Sequence, residues 1–287
     1  MMAQRKLDVD RVEAMASGLA ARAVRALLEE ARLTPKPGLV DRRGSGAHAD
    51  MDLALMERSA QSLEPTFYRM ALAGWMRKPD SALRRQIGAI GRQGEKEMMQ
   101  VTGGVNTHRG AVWSLGLMAT ASAMHQGEVS ARELVASAAS LARIEDTACP
   151  PVFSKGQYAC HRYRVPGARG EAQMGFPHVM KALPYLRRLH GNENVSVVAR
   201  QVVHIDALMA IMADLPDTCV LSRGGKEALQ TMNKGARKVL DEGGFGSLSG
   251  RKAYDRLEKD MMDANVSPGG AADLLAAAFF LDSITMA

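Results

Sequence analysis

The residues best suited to chemistry fall in five short polar clusters. The first, KPGLVDRRGSGAHADMD (36–52), sets Lys36, Arg42 and Arg43 beside Asp41, His48, Asp50 and Asp52, among glycines that let backbone approach a ligand closely. Such positive charge suits a polyanionic ligand. Asp50, Glu57 and Glu64 recur at seven-residue spacing, which on a continuous helix gives one shared face beside the apolar stripe Leu53, Met56, Ala60, Leu63 and Phe67. Carboxylates at such an edge suit Mg²⁺ held jointly with substrate phosphates, and Asp50, Glu57 and Asp273 are the candidate ligands. A solvated acidic edge paired to Arg58 is the plain alternative, and for Glu64 it is the preferred one.

The second cluster, GVNTHRG (104–110), places Asn106, Thr107, His108 and Arg109 at the mouth of an apolar helix. A helix start carries unpaired N–H groups and the positive end of the dipole, so this is either a cap or an anion site. In the third, GARGEAQMGFP (167–177), Arg169 and Glu171 could staple a loop, or could set a general base beside a phosphate-binding guanidinium. The fourth, DLPDTCVLSRGG (214–225), offers Asp217, Thr218 and Arg223, though an ordinary capped turn would read the same way. The fifth, SPGGAADLLA (267–276), has Ser267 as a cap, Pro268 at a first helical position and the exposed amides of Gly269 and Gly270. Asp273 then lies one turn inside an apolar helix, where an acid is costly without a partner.

These clusters need elements to hold them, and the pattern supplies helices almost everywhere. Helical spacing runs over 9–33, 50–77, 81–99, 108–125, 130–143, 176–190, 197–213, 226–241, 249–264 and 269–284, with Ser or Asp ahead of several. Pro35 and Pro37 stop the first. Residues 144–175 read as an irregular segment rich in Pro, Gly and aromatics, longer than an ordinary connection. Almost nothing alternates with period two, so the expectation is one all-α domain over 1–287.

Composition narrows the functions available. A hydrophobic content of 46% in 287 residues supports a folded core. No apolar run reaches membrane-spanning length and no secretory signal is visible, which points to the cytoplasm. Three cysteines, Cys149, Cys160 and Cys219, without CxxC spacing read as free thiols. The net charge of +6 without a basic tail or block favours a phosphate-rich small molecule over nucleic acid. Methionines at helical spacing, and Trp75 and Trp113 in apolar helices, read as packing.

Taken in order, KPGLVDRRGSGAH, GVNTHRG, GARGEAQMGFP, DTCVLSRGG and SPGGAADLLA resemble the triphosphoribosyl-dephospho-CoA synthase family, over about residues 34–281. That family has a citrate lyase and a malonate decarboxylase branch, and the stretch HADMDLALMERSAQSLEPTF leans toward the malonate one. The resemblance implies that the triphosphoribosyl group of ATP passes to the 2'-hydroxyl of 3'-dephospho-CoA with release of adenine. The product would go to a transferase that loads an acyl carrier protein, with a homodimer as an open expectation and no nucleic-acid or membrane partner. An oxocarbenium-like transition state then needs a base, a donor for adenine and nearby negative charge. His108 or Glu171 is expected to take the hydroxyl proton, Asp50 to support the ribose or Mg²⁺, and Asn106 to orient a ribose. Lys36, Arg42, His48, Arg109, Arg169, Arg223, Ser267, Gly269 and Gly270 are the expected substrate binders. Two positions depart from the family pattern: Arg109 stands where Lys is expected, and Cys219 where Asn is expected. Two other classes stay open: an all-α metal-dependent nucleotide phosphohydrolase, which lacks a His-Asp doublet because Ile205 separates His204 from Asp206 and His204 on its apolar helix reads as packing, and a noncatalytic module that docks an acyl carrier protein.

Overall fold

The computed structural model describes residues 2–149, 154–192 and 194–285, with side chains from residue 9 onward. Every regular element among them is a helix, and the only strand-like feature is an isolated bridge between Asp41 and Gly44. In chain order these are α1 (Met2–Arg32), α2 (Leu53–Ser62), α3 (Glu64–Gly74), α4 (Ser81–Val101), α5 (Arg109–Met124), α6 (Ala131–Arg143), α7 (Lys155–Tyr163) and α8 (Gly167–Gln173). They continue with α9 (Pro177–Leu186), a 3₁₀ turn (Arg187–Leu189), α10 (Val197–Met212), α11 (Thr218–Asp241), α12 (Leu248–Asp263) and α13 (Gly269–Ile284). None is long and apolar enough to cross a membrane.

Two apolar helices form the centre. Residues 114–123 of α5 and 274–281 of α13 are buried on nearly every side, as expected of helices that lack a polar face. Around them pack α1, α3, α9 and α10. Small residues set the close approaches: a Cβ on Gly74 of α3 would stand 2.4 Å from Thr120 O of α5, and one on Gly116 would meet the Met70 sulfur at 2.4 Å. Large side chains such as Phe67, Leu115, Met118 and Phe280 are fully enclosed, each worth roughly 1.5–3 kcal/mol over exposure. A continuous apolar core runs from Ala16 of α1 to Leu281 of α13.

Three expected elements differ from the structure. The stretch 50–77 is two helices, because the chain turns at Leu63 and Pro65 opens α3 without an amide to continue α2. Asp52 caps α2 by accepting the Leu55 N–H, so Asp50 lies in the preceding loop and cannot share a helix face with Glu57 and Glu64. The segment 144–175 is not wholly irregular. Ser154 and Gln157 form a reciprocal capping box that starts α7, and Arg164 ends it in the left-handed region, leaving room for α8. Residues 150–153 of that segment lie outside the described residues. Finally, α11 begins at Thr218 and kinks at Gly225, where φ is +66°, which is why only its second half reads as a clean periodic pattern.

Candidate active site

Four of the five clusters meet at the start of α13. A Cβ on Gly38 would stand 2.3 Å from Val266 O, so the loop 33–52 lies directly on the segment that leads into α13. His48 from that loop meets buried Ser267, Nε2 to Oγ, at 2.8 Å. Its other ring nitrogen is 3.0 Å from an Arg223 guanidinium nitrogen, and that arginine also donates to Ala47 O. A guanidinium only donates, so Nδ1 of His48 accepts and Nε2 carries the proton given to Ser267. Burial and Arg223 both push the His48 pKa down, in keeping with a neutral ring.

Behind His48, Asp217 ties two helix starts together. Its Oδ1 accepts the N–H groups of Cys219 and Val220 at the head of α11, and its Oδ2 accepts that of Ala271 at the head of α13. Gly270 presents its amide to the same carboxylate. The amides of Gly269 and Gly270, expected to cradle phosphate, therefore stand at a helix start already filled by a protein carboxylate. Cys219 lies against Gly269, and burial together with Asp217 pushes its thiol pKa up. It is a packing residue here.

One turn further, Asp273 does for α5 what Asp217 does for α13. Its carboxylate sits where a Cβ on Gly110 would be, 2.1 Å from Oδ2, and takes the Ala111 amide. Burial, then Glu30 and Asp217, hold this carboxyl well above the usual carboxylate range. The opening of α5 is thus capped in trans by Asp273 and locally by Asn106, whose Oδ1 accepts the Arg109 N–H at 3.3 Å.

His108 stands between these pieces and is 2% exposed. Its backbone N–H points to the Met98 sulfur, and its Nδ1 is 2.8 Å from Ser59 Oγ. Nε2 is buried without a partner, an arrangement that folded proteins rarely leave without a reason. Desolvation, aided by the charge of Lys36, lowers its pKa to about 4, so the ring is neutral at physiological pH.

The remaining expected residues are distributed differently. Lys36 is buried and donates to Glu30 Oε1 at 2.5 Å and to Glu30 O, so its ammonium belongs to a buried ion pair rather than to an open anion site. Arg42 is exposed and donates to Arg32 O, while Arg109 pairs with Glu95 at 3.1 Å. Glu57 pairs with Arg32 at 2.6 Å, and Asp50 is exposed 3.6 Å from His48. Asp50, Glu57 and Asp273 do not gather: among the described residues no group of three His, Cys, Asp or Glu could hold a metal ion. Arg169 and Glu171 are not a pair either. Arg169 is exposed, whereas buried Glu171 accepts both the backbone N–H and the Nδ1 of His178, whose Nε2 faces Asp214 at 3.3 Å. With both oxygens engaged, Glu171 anchors α8 to α9.

Ser59 and Glu30 complete this site, and sequence reasoning did not put them in it, whereas Asp217 of the fourth cluster takes the capping role that was its plain alternative. A signal existed for the first: Ser59 is a hydroxyl between Met56 and Ala60 on the apolar stripe of α2. Likewise Glu30 is a carboxylate between the core positions Leu27 and Ala31 of α1. The pair His204 and Asp206 serves packing instead. His204 packs at a tilt against Phe279 with ring centroids 4.6 Å apart, and Asp206 accepts the Phe245 N–H.

Known proteins are similar in sequence to this chain over most of its length. The family described as ATP:dephospho-CoA triphosphoribosyl transferase (CitG) matches residues 16–287. A 2-(5''-triphosphoribosyl)-3'-dephosphocoenzyme-A synthase from Klebsiella pneumoniae is 53% identical over 95% of this chain and 96% of its own length. Proteins described as probable synthases of the same kind from Stutzerimonas stutzeri (strain A1501) and Azotobacter vinelandii (strain DJ / ATCC BAA-1303) are 52% and 51% identical, over 95% and 91% of this chain and 93% and 89% of their own lengths. No solved structure matches.

Proposed function

The chain belongs to the ATP:dephospho-CoA triphosphoribosyl transferase (CitG) family, and on that premise we propose that it moves the 5-triphosphoribosyl group of ATP to the 2'-hydroxyl of 3'-dephospho-CoA, releasing adenine. The observation that carries the reading is the buried, unpartnered Nε2 of His108 at the meeting point of four polar clusters. A neutral imidazole in that position is suited to take the proton of an attacking hydroxyl. His108 is preferred over Glu171 as the base because both Glu171 oxygens are engaged by His178.

Each neighbour has a matching part. Attack at C1 of the ATP ribose passes through an oxocarbenium-like state, which nearby negative charge favours. Asp50, exposed at the rim of the loop, supports that charge. Asn106 uses its side-chain oxygen on Arg109 N–H, so its NH₂ is what it offers a ribose hydroxyl. Ser267, accepting from His48, has its own O–H to give, and Arg42, Arg169 and Arg223 supply positive charge for the triphosphate. Among the described residues no group of His, Cys, Asp or Glu forms a resident Mg²⁺ site. Any Mg²⁺ would come with the nucleotide, bound mainly by its phosphates.

The wider assignment follows from the same reading. The whole chain acts as one catalytic domain in the cytoplasm, and its product passes to a transferase that loads an acyl carrier subunit. The stretch at 48–67 favours the malonate decarboxylase carrier over that of citrate lyase. The test is incubation of the purified protein with ATP, Mg²⁺ and 3'-dephospho-CoA, following adenine by chromatography and the product by mass. Adenine released only when dephospho-CoA is present, with the triphosphate retained in the product, supports the transfer. ADP or free phosphate would favour a hydrolase instead.

A further inference from the structure

Ser59 Oγ is fully buried and has two polar neighbours, Thr107 Oγ1 at 2.5 Å and His108 Nδ1 at 2.8 Å. Three groups on two elements, α2 and the loop before α5, therefore share two hydrogen bonds whose direction is linked. Either Thr107 donates to Ser59 and Ser59 to Nδ1, which leaves a proton on Nε2, or Nδ1 donates to Ser59 and Ser59 to Thr107, which leaves Nε2 with its lone pair. Nothing intermediate satisfies the single Ser59 proton.

The surroundings distinguish these arrangements. The first strands a buried N–H on Nε2, the rarer and costlier kind of orphan. In the second the orphan is an acceptor, and the hydroxyl left over belongs to Thr107, which is only half-buried and can donate to water.

We infer that Ser59, supported by Thr107, is a positioning residue that holds His108 as the Nδ1–H tautomer and so presents the Nε2 lone pair to an incoming hydroxyl. The catalytic consequence rests on the transferase reading, whereas the tautomer does not. In the transfer, the hydroxyl oxygen forms the new bond to C1 and its proton goes to Nε2. The C1–N bond to adenine breaks, its electron pair leaving with the purine. The imidazolium keeps its Nδ1–H on Ser59 and gives its added proton from Nε2 to the departing purine nitrogen, so protons balance.

The experiment is a ¹⁵N–¹H correlation spectrum of the full-length protein labelled at histidine, near neutral pH, with His108 assigned by the signals lost in His108→Gln. The expected pattern is a protonated, pyrrole-type Nδ1 and a pyridine-type Nε2. A pyrrole-type Nε2 overturns the inference. In Ser59→Ala and in Thr107→Val the pattern should become mixed. Turnover in Ser59→Ala should fall on the order of 10- to 100-fold with KM little changed, the scale of losing a ring's orienting partner. Unchanged kcat in a folded Ser59→Ala overturns the positioning role. Absence of adenine release in the wild type overturns the transferase reading alone, since the spectrum still decides the tautomer.

Discussion

Asp217 Oδ2 accepts the backbone N–H of Ala271 at 2.9 Å while Oδ1 holds the first amides of its own helix, so one buried carboxylate fastens α11 to α13. A helix start left without partners carries orphan donors and a positive end. Here two such ends share one anion, and the residues around His48 and Ser267 are set by that fastening. Replacing Asp217 with Ala should cost on the order of 3 kcal/mol, measured by denaturant unfolding, because several amides lose their acceptor. Asp217→Asn should cost less, since its remaining carbonyl still serves the head of α11.

Gly110 is where α5 admits Asp273. With a Cβ 2.1 Å from Oδ2, Gly110→Ala should displace the carboxylate, lower stability by about 1–3 kcal/mol and reduce adenine release. Thermal unfolding and turnover should fall together. Unchanged values for both would show that Asp273 does not cap α5.

His108→Ala should abolish most of the reaction, by on the order of 10²- to 10⁴-fold in kcat, the usual range for a positioned acid or base. KM for ATP should change little. A large rise in KM with kcat kept would make His108 a binding residue instead.

Two histidines, buried His108 and partly buried His204, give the stability a pH dependence. His108 and His204 are depressed from 6.5 to about 4, mainly by burial. Between those values the unfolded chain takes up protons that the folded one refuses. Stability that is fully present above about pH 6.5 is therefore lost as the pH falls toward 4, by up to about 3 kcal/mol for each ring. Asp217 and Asp273, raised by burial, act in the opposite sense, so the histidine part is read as the difference from a variant. His204→Gln should flatten the wild-type decline over that window. Parallel profiles would disprove the assignment.

Chelation should separate a resident metal from one carried by substrate. EDTA without ATP is expected to leave the melting temperature unchanged, because no acidic cluster among the described residues could hold a metal. A clear drop would reveal a ligand set elsewhere.

Much of the fold was legible because helical periodicity is a local property. The all-α class, most helix positions, and the Ser and Asp caps could be read from neighbours within one turn, and the family resemblance rested on motifs lying in the loops. Pairings across the chain were not legible in this way. Arg169 and Glu171 are two residues apart yet do not pair, because α8 turns Glu171 inward to His178 and leaves Arg169 outside. Asp50, Glu57 and Glu64 lost their common face because Asp50 lies in the loop before the Asp52 cap and the turn at Leu63 puts Glu64 on a separate helix.

The sequence by itself determined which residues could do chemistry, the helices that carry them and the family to which the chain belongs. Only the tertiary structure decided which of those groups remain available. Lys36 is taken by Glu30, the α13 amides by Asp217 and the mouth of α5 by Asp273, whereas His108 Nε2 is left unpartnered. The physical reason is that hydrogen bonds and ion pairs are satisfied by proximity in space, and burial forces that satisfaction on most of the polar groups the fold encloses, which sets His108 Nε2 apart from its paired neighbours.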